Sequence, residues 1–188
     1  MPNNISIHPT AIVDTQNIGQ DSKIWAFVHI LAGVKIGKNA NICDHCFIED
    51  EVIIGDNVTI KSGIWIWNGV TIGNDVFLGP SVAFANDKYP RSKNACFAKK
   101  RTILNDGCSI GANSTILPGI TIGKYAMVGA GSVVTKNVND YELAYGNPAT
   151  PKGYVCQCGN KMELENNTFL CSCGLGYEKV DGRIVIKD

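Results

Sequence analysis

A large aliphatic or aromatic residue returns at every sixth position of this chain and holds that register from residue 12 to residue 84. Stepping by six from Ile12 meets Ile18, Ile24, Ile30, Ile36, Ile42, Ile48, Ile54, Ile60, Ile66, Ile72, Leu78 and Phe84, thirteen matches in thirteen positions. The period resumes at Leu104 and continues through Ile110, Ile116, Ile122, Val128 and Val134. Six is neither the 3.6-residue period of an amphipathic helix nor the alternation of a half-buried strand. It predicts a stacked-repeat fold, in which each unit is too small to bury its apolar side alone and must lie on the next. A β-sandwich has no reason to keep one register across thirteen units.

Four positions after each of these residues the side chain is mostly small or branched, as at Ser22, Val28, Val34, Ala40, Cys46, Val52, Val58 and Ile64. The position directly after the period residue is often glycine, as at Gly19, Gly37, Gly55, Gly73, Gly111, Gly123 and Gly129. The phrase Ile-Gly-x-x-Val-x reads as a short β-branched strand followed by a turn. Three such units close a triangular coil of eighteen residues, and successive coils stack their isoleucines at the strand spacing of about 4.8 Å. The expected fold is all-β: a parallel β-helix over residues 1–153, with residues 141–153 as an irregular exit containing two prolines. Residues 154–188 lose the period, gain four cysteines and read as a second module.

The 17 basic and 17 acidic residues cancel, which argues against broad attraction to nucleic acid or membrane. No apolar run approaches the roughly 18–20 residues of a membrane span. The start Met1-Pro2-Asn3-Asn4 has neither the basic region nor the apolar core of a signal peptide. A cytoplasmic location is therefore expected, where eight cysteines serve as thiols or metal ligands rather than disulfides.

Charge is concentrated where the repeat fails. Residues 85–101 carry Lys88, Arg91, Lys93, Lys99, Lys100 and Arg101 against the single acid Asp87. A long loop ejected from a solenoid contributes no core, and such loops tend to be functional. Its cations point to an anionic ligand, with Arg91 suited to forked contact with phosphate oxygens; a solvated charged loop is the plainer alternative. Stepping by eighteen places His29, Phe47 and Trp65 in one ladder on an outer face, and Ala32, Asp50, Asn68 and Asn86 at the adjoining corner. That face is expected to be a ligand wall or a subunit interface.

Cys156-Gln157-Cys158-Gly159 and Cys171-Ser172-Cys173-Gly174 form two C-x-C-G knuckles twelve residues apart. Four thiolates suit a tetrahedral, structural Zn²⁺, with each glycine letting the backbone turn toward the metal. Zinc knuckles usually have two residues between the cysteines, so four free thiols on a β-hairpin remain the alternative. The C-x-x-C phrase Cys43-Asp44-His45-Cys46 lies inside the repeat, where Cys46 fills a small inward slot; Cys96 and Cys108 carry no pattern.

The repeat resembles the hexapeptide-repeat family, which implies a left-handed parallel β-helix. Phe84-Ala85-Asn86-Asp87-Lys88-Tyr89-Pro90-Arg91-Ser92 is similar to the loop of its nucleotide-sugar 3-N-acetyltransferases. Ile7-His8-Pro9-Thr10-Ala11, Val128-Gly129-Ala130-Gly131-Ser132 and Gly146-Asn147-Pro148-Ala149 resemble the entry, the last coils and the exit of the wider class. The resemblance covers residues 5–158. It implies acetyl transfer from acetyl-CoA to the 3-amino group of a dTDP- or UDP-linked deoxysugar, for surface polysaccharide or lipopolysaccharide synthesis. It also implies a homotrimer with active sites between subunits.

Carried over by motif, Asn86 would hold the attacking amine; His29, read from the adjoining outer face, is the other catalytic candidate. Trp65, Asn68, Lys88, Tyr89, Arg91 and Ser92 would bind the nucleotide sugar. Gly111, Ala112, Gly129, Ala130 and Lys136 would line the coenzyme A path, with Asn147 and Pro148 at its end. Many hexapeptide acyltransferases place a histidine base in later coils, but this chain has no histidine after His45. Unless His29 or His45 serves as one, transfer without a base is therefore expected. The competing readings are an acyltransferase for a 4-amino sugar or another small amine, a γ-type carbonic anhydrase, and a non-catalytic β-helix scaffold. His29 and His45 stand sixteen apart rather than eighteen, which argues against the anhydrase.

Overall fold

The computed structural model describes residues 4–93 and 98–187; Cys96 and the tip of the 85–101 loop around it lie outside that range. Among the described residues every regular element is a strand. Most strands are two residues long, because each six-residue unit spends the rest on its corner. They stack into three parallel sheets that form the faces of a prism. The first face runs from Ser6–Ile7 through Lys23–Ile24, Asn41–Ile42, Thr59–Ile60, Phe77–Leu78 and Ser109–Ile110 to Met127–Val128. The second holds Ile12–Val13, His29–Ile30, Phe47–Ile48, Trp65–Ile66, Ala83–Phe84, Thr115–Ile116 and Val133–Val134. The third holds Lys35–Ile36, Ile53–Ile54, Val70–Ile72, Thr102–Leu104 and Thr121–Ile122.

Register is the expected one through the middle of the chain. Ile30 pairs with Ile48 and Ile48 with Ile66, so like side chains stack eighteen residues apart. Ile30, Ile42, Ile48, Ile60 and Ile66 are fully buried, and Val34, Val52 and Val58 fill the smaller inward slots. Burying each large side chain contributes about 1.5–3 kcal/mol, repeated along the whole axis. Corners are turned by residues in the left-handed region, which Asn and Asp adopt more readily than other side chains. Asn39, Asn57 and Asp75 (φ 52°, 58° and 59°) stack at the corner between the third and first faces. Their side chains bond in series, Asn39 donating to Asn57 at 3.0 Å and Asn57 to Asp75 at 2.9 Å.

Two expectations are corrected. Ile12 points outward and is exposed, while Val13 pairs with Ile30, so the first coil is one residue short. Thr15 takes a buried slot there and satisfies its hydroxyl by donating to the Val34 carbonyl at 2.7 Å. The exit is also regular: Glu142–Gly146 extends the first face and turns through a cis Asn147–Pro148 bond into the antiparallel strand Ala149–Val155. Pro151 is accommodated beside an irregularity of that ladder at Leu143/Ala144. Ala149 packs against the open end of the core, so this hairpin caps the prism. Beyond it, Lys161–Met162 adds one more strand, and Thr168–Leu170, Gly176–Val180 and Arg183–Lys187 form a separate three-stranded sheet.

Candidate active site

The ladder on the second face is present. His29, Phe47 and Trp65 are register partners. The His29 ring meets Phe47 edge-on at 5.5 Å, and Phe47 meets Trp65 at 6.4 Å and Trp67 at 6.1 Å. At the neighbouring corner Phe27 and His45 stack face to face at 5.0 Å, both with φ near 60°. These rings and Cys46 line an open groove of about 460 Å³. His29 Nε2 stands 3.9 Å from the Asp14 carboxylate, and both side chains are half exposed.

The loop leaves the corner between the second and third faces, next to that groove. Trp67, which sequence reasoning passed over, fixes the departure: its indole N–H donates to the Phe84 carbonyl at 2.6 Å. Nothing in the periodicity marks this side chain, because it sits between inward positions. Asn86 lies two residues further on and is exposed. Asn68 shares this corner, with its backbone N–H donating to Glu49 Oε2 at 2.8 Å. Tyr89 is exposed, its N–H donates to Asp87 at 2.9 Å, and Lys88 Nζ lies 5.6 Å from its ring centroid. Arg91 donates to the adjacent Pro90 carbonyl at 2.9 Å, and Ser92 is exposed beside it. The returning limb is clamped. Lys99 is ion-paired with Glu51, holding that carboxyl below its usual range through the lysine hydrogen bond and charge. The stem of Lys99 also lies over Gly69 and that of Lys100 over Gly119.

Gly111, Ala112, Gly129 and Ala130 occupy the opposite edge of the second face, at its corner with the first. Glycine is required here: a Cβ on Gly111 would run into the Ala130 amide, and one on Gly129 into the Tyr145 side chain. The Gly111 and Asn113 amides donate to Val128 and Pro80 at 2.8 and 3.0 Å, but those of Ala112 and Ala130 have no partner among the described residues. Earlier in the same column Asp44 Oδ1 accepts the Ala26 amide at 2.9 Å. The residues one coil further on, Ala130 and Gly146, cannot do this, so the N–H groups of Ala112 and Ala130 stay available to a ligand. Lys136 and Pro148 share a hollow of about 330 Å³ with Ala149 at the capped end, and Asn147 stands at its turn. Within one chain the structure thus joins His29, Trp65, Asn68 and the root of the loop. It keeps the glycine corner on the far edge and the Lys136 hollow at the end.

The four terminal cysteines also converge, with their Sγ atoms all within 4.8 Å of one another. The Cys173 amide, followed by the neighbouring thiols, lowers the Cys171 thiol to about 6. In the prism core burial does the reverse, raising Cys46 to about 11 and Cys108 to about 12.

A parallel prism of six-residue repeats with a cationic loop places the chain in the hexapeptide-repeat class. Residues 17–50 and 101–136 match the family Bacterial transferase hexapeptide (six repeats). The chain is 60% identical, over 94% of its own length and 92% of the relative's, to dTDP-3-amino-3,6-dideoxy-alpha-D-galactopyranose 3-N-acetyltransferase of Aneurinibacillus thermoaerophilus. It belongs to this family of nucleotide-sugar 3-N-acetyltransferases. The polySia specific acetyltransferase NeuO shares the fold, at a TM-score of 0.56, 24% identity and 81% coverage of both chains. PerB from Caulobacter crescentus, solved with CoA and GDP-perosamine, is 27% identical with a TM-score of 0.46. There the chain matches over 79% of its length and spans 57% of PerB. Among the described residues no helix is long and apolar enough to cross a membrane.

Proposed function

We propose that this protein transfers the acetyl group of acetyl-CoA to the 3-amino group of a nucleotide-linked amino-deoxysugar. The observation that carries this reading is the 60% identity, over nearly the whole of both chains, to an enzyme so named. dTDP is the favoured nucleotide, since the relative's named substrate carries it. The product would serve surface polysaccharide or lipopolysaccharide synthesis from the cytoplasm, where acetyl-CoA is made. The enzyme acts as a homotrimer with sites between subunits. The aromatic face of exposed Trp65 and half-buried His29 and Phe47 supports that seam, because such a face gains by being covered. One structural zinc completes the assembly.

Attack on a thioester needs a neutral amine, a donor for the tetrahedral oxyanion and a thiolate that leaves. A sugar amine beside electron-withdrawing carbons titrates roughly like an α-amino group, near 7.7–8.0. A useful fraction is neutral at cytoplasmic pH, so the site needs placement more than a base. Asn86 holds the amine through its side-chain amide, while Lys88, Arg91 and Ser92 engage the diphosphate and Trp65, Asn68 and Tyr89 the rest of the nucleotide sugar. The free N–H groups of Ala112 and Ala130 suit the oxyanion and the carbonyls of the pantetheine arm. The departing coenzyme A sulfur takes the amine proton, and His29 orients the substrate instead of serving as the base.

A panel of dTDP- and UDP-linked 3-amino and 4-amino sugars with acetyl-CoA tests the reading by free-thiol release and NMR of the product. We expect the dTDP-3-amino sugar to turn over fastest, with the acetyl on nitrogen 3. Preference for a 4-amino sugar, or no turnover of any, would contradict it.

A further inference from the structure

We propose that Cys156, Cys158, Cys171 and Cys173 hold one Zn²⁺, and that the ion fastens the separate C-terminal sheet to the hairpin capping the prism. The two knuckles are built alike. In the first, the Cys156 amide donates to the Asn160 carbonyl and that of Gly159 to Cys156, both at 2.8 Å. In the second, Cys171 donates to Leu175 at 2.8 Å and Gly174 to Cys171 at 2.9 Å. Gly159 (φ 89°) and Gly174 (φ 95°) adopt a backbone that side chains disfavour, which folds each pair of thiols inward. Zinc–sulfur bonds of about 2.3 Å set tetrahedral sulfur–sulfur edges of about 3.8 Å. Cys156 and Cys173 are 3.5 Å apart, as are Cys158 and Cys171, so the nearest pairs join one knuckle to the other. All four sites are then filled by protein, which leaves no position open for chemistry and makes the role structural.

The ion lies where the fold most needs a link. The first knuckle follows Ala149–Val155, which pairs with the strand extending the first face. The second lies between Thr168–Leu170 and Gly176–Val180, in a sheet that among the described residues forms no ladder with the prism. Between them is a small core: Tyr141, Cys156, Met162, Cys171, Tyr177 and Ile184 are its buried members, two of them ligands. A unit of this size rarely holds itself together by burial alone. Tyr177 connects ion to prism. Its hydroxyl lies 3.1 Å from Cys156 Sγ and accepts the Gln157 amide at 3.1 Å. Its ring meets Tyr141 edge-on at 5.5 Å, and Tyr141 stacks on Tyr125 of the last coils at 5.5 Å. The knuckle therefore anchors the far end of the strand that begins at the Asn147–Pro148 turn. Resting on the reading of that turn as the coenzyme A end, the ion also steadies the hollow of Lys136 and Pro148.

The full-length protein should purify with one zinc per chain by elemental analysis. The paired variant Cys171→Ser/Cys173→Ser should lose it, and Cys43→Ser should not. Exchange into cobalt should give the thiolate-to-metal and tetrahedral d–d absorption of a four-sulfur site. On removing the metal from wild-type enzyme with a chelator, a protease should cut between residues 163 and 167. The KM for acetyl-CoA should rise several-fold with kcat little changed. Protein that carries no metal and takes up none, or whose thiols are paired as disulfides, would overturn the site. Loss of zinc with unchanged cleavage and unchanged KM would overturn the fastening. Metal content and cleavage are read without turnover, so an inactive protein that holds zinc would refute the acetyl-transfer reading alone.

Discussion

The indole N–H of Trp67 and the carbonyl of Phe84 are joined at 2.6 Å, tying the aromatic wall of one coil to the last buried residue before the cationic loop. This bond sets the direction in which the chain leaves the prism, and with it the position of Asn86. Trp67→Phe keeps a ring against Phe47 and Trp65 but removes the donor. We expect a stability loss of about 0.5–1.5 kcal/mol in denaturant titration, the usual worth of one hydrogen bond. Turnover should fall by roughly tenfold, because small misplacements of reacting groups are costly. Acetyl-CoA binding should be unaffected.

Asn86 and His29 separate transfer by placement from transfer by a base. Asn86→Ala should lower kcat by about 10²-fold or more, with the circular dichroism spectrum unchanged, since an exposed side chain contributes nothing to the core. His29→Asn should cost far less. If His29→Asn abolishes turnover while both substrates still bind, the chemistry uses a base after all.

The buried thiols give a pH-dependent test of the prism. Burial raises Cys46 and Cys108 from an ordinary value of 9.0 to about 11 and about 12. Both are therefore neutral in the fold at every pH where the unfolded chain begins to ionise them. Their stabilising contribution is complete below about pH 9 and is lost as pH rises from there toward 12. Native protein at pH 8 should leave these two unlabelled by a thiol reagent, and urea unfolding at pH 10 should occur at lower denaturant than at pH 8. Replacing Cys108 with alanine should flatten that decline.

Ile30, Ile48 and Ile66 were legible because a buried column has one rule: a large apolar side chain every eighteen residues. Ile12 was misplaced for the same reason, since the Ile12-Val13 pair satisfies the rule in either register and only the buried Thr15 decides between them. The exit hairpin was hidden by Pro148 and Pro151, which argue locally against a ladder and are tolerated at its turn and its irregular position. Within the site, His29, Trp65 and Asn86 could be aligned from spacing alone. Trp67 could not, because its importance is one hydrogen bond to a distant carbonyl. The amides of Ala112 and Ala130 left a faint sign: Ala130 and Gly146 stand where Asp44 elsewhere supplies an acceptor. The paired cysteines were visible as spacing, while the tyrosine column that docks them was not.

The most direct measurement mixes two variants that are each expected to be nearly inactive. Asn86→Ala damages the loop edge of the second face, and Ala130→Trp blocks the opposite, exposed corner. The two are unfolded together, refolded at equal ratio and assayed for acetyl-CoA-dependent thiol release with a dTDP-3-amino sugar. If each site takes its loop from one copy and its glycine corner from the next, about a quarter of the seams carry two intact edges. We expect roughly that fraction of wild-type activity. A mixture as inactive as its parents, alongside fully active refolded wild type, would contradict a site shared between copies.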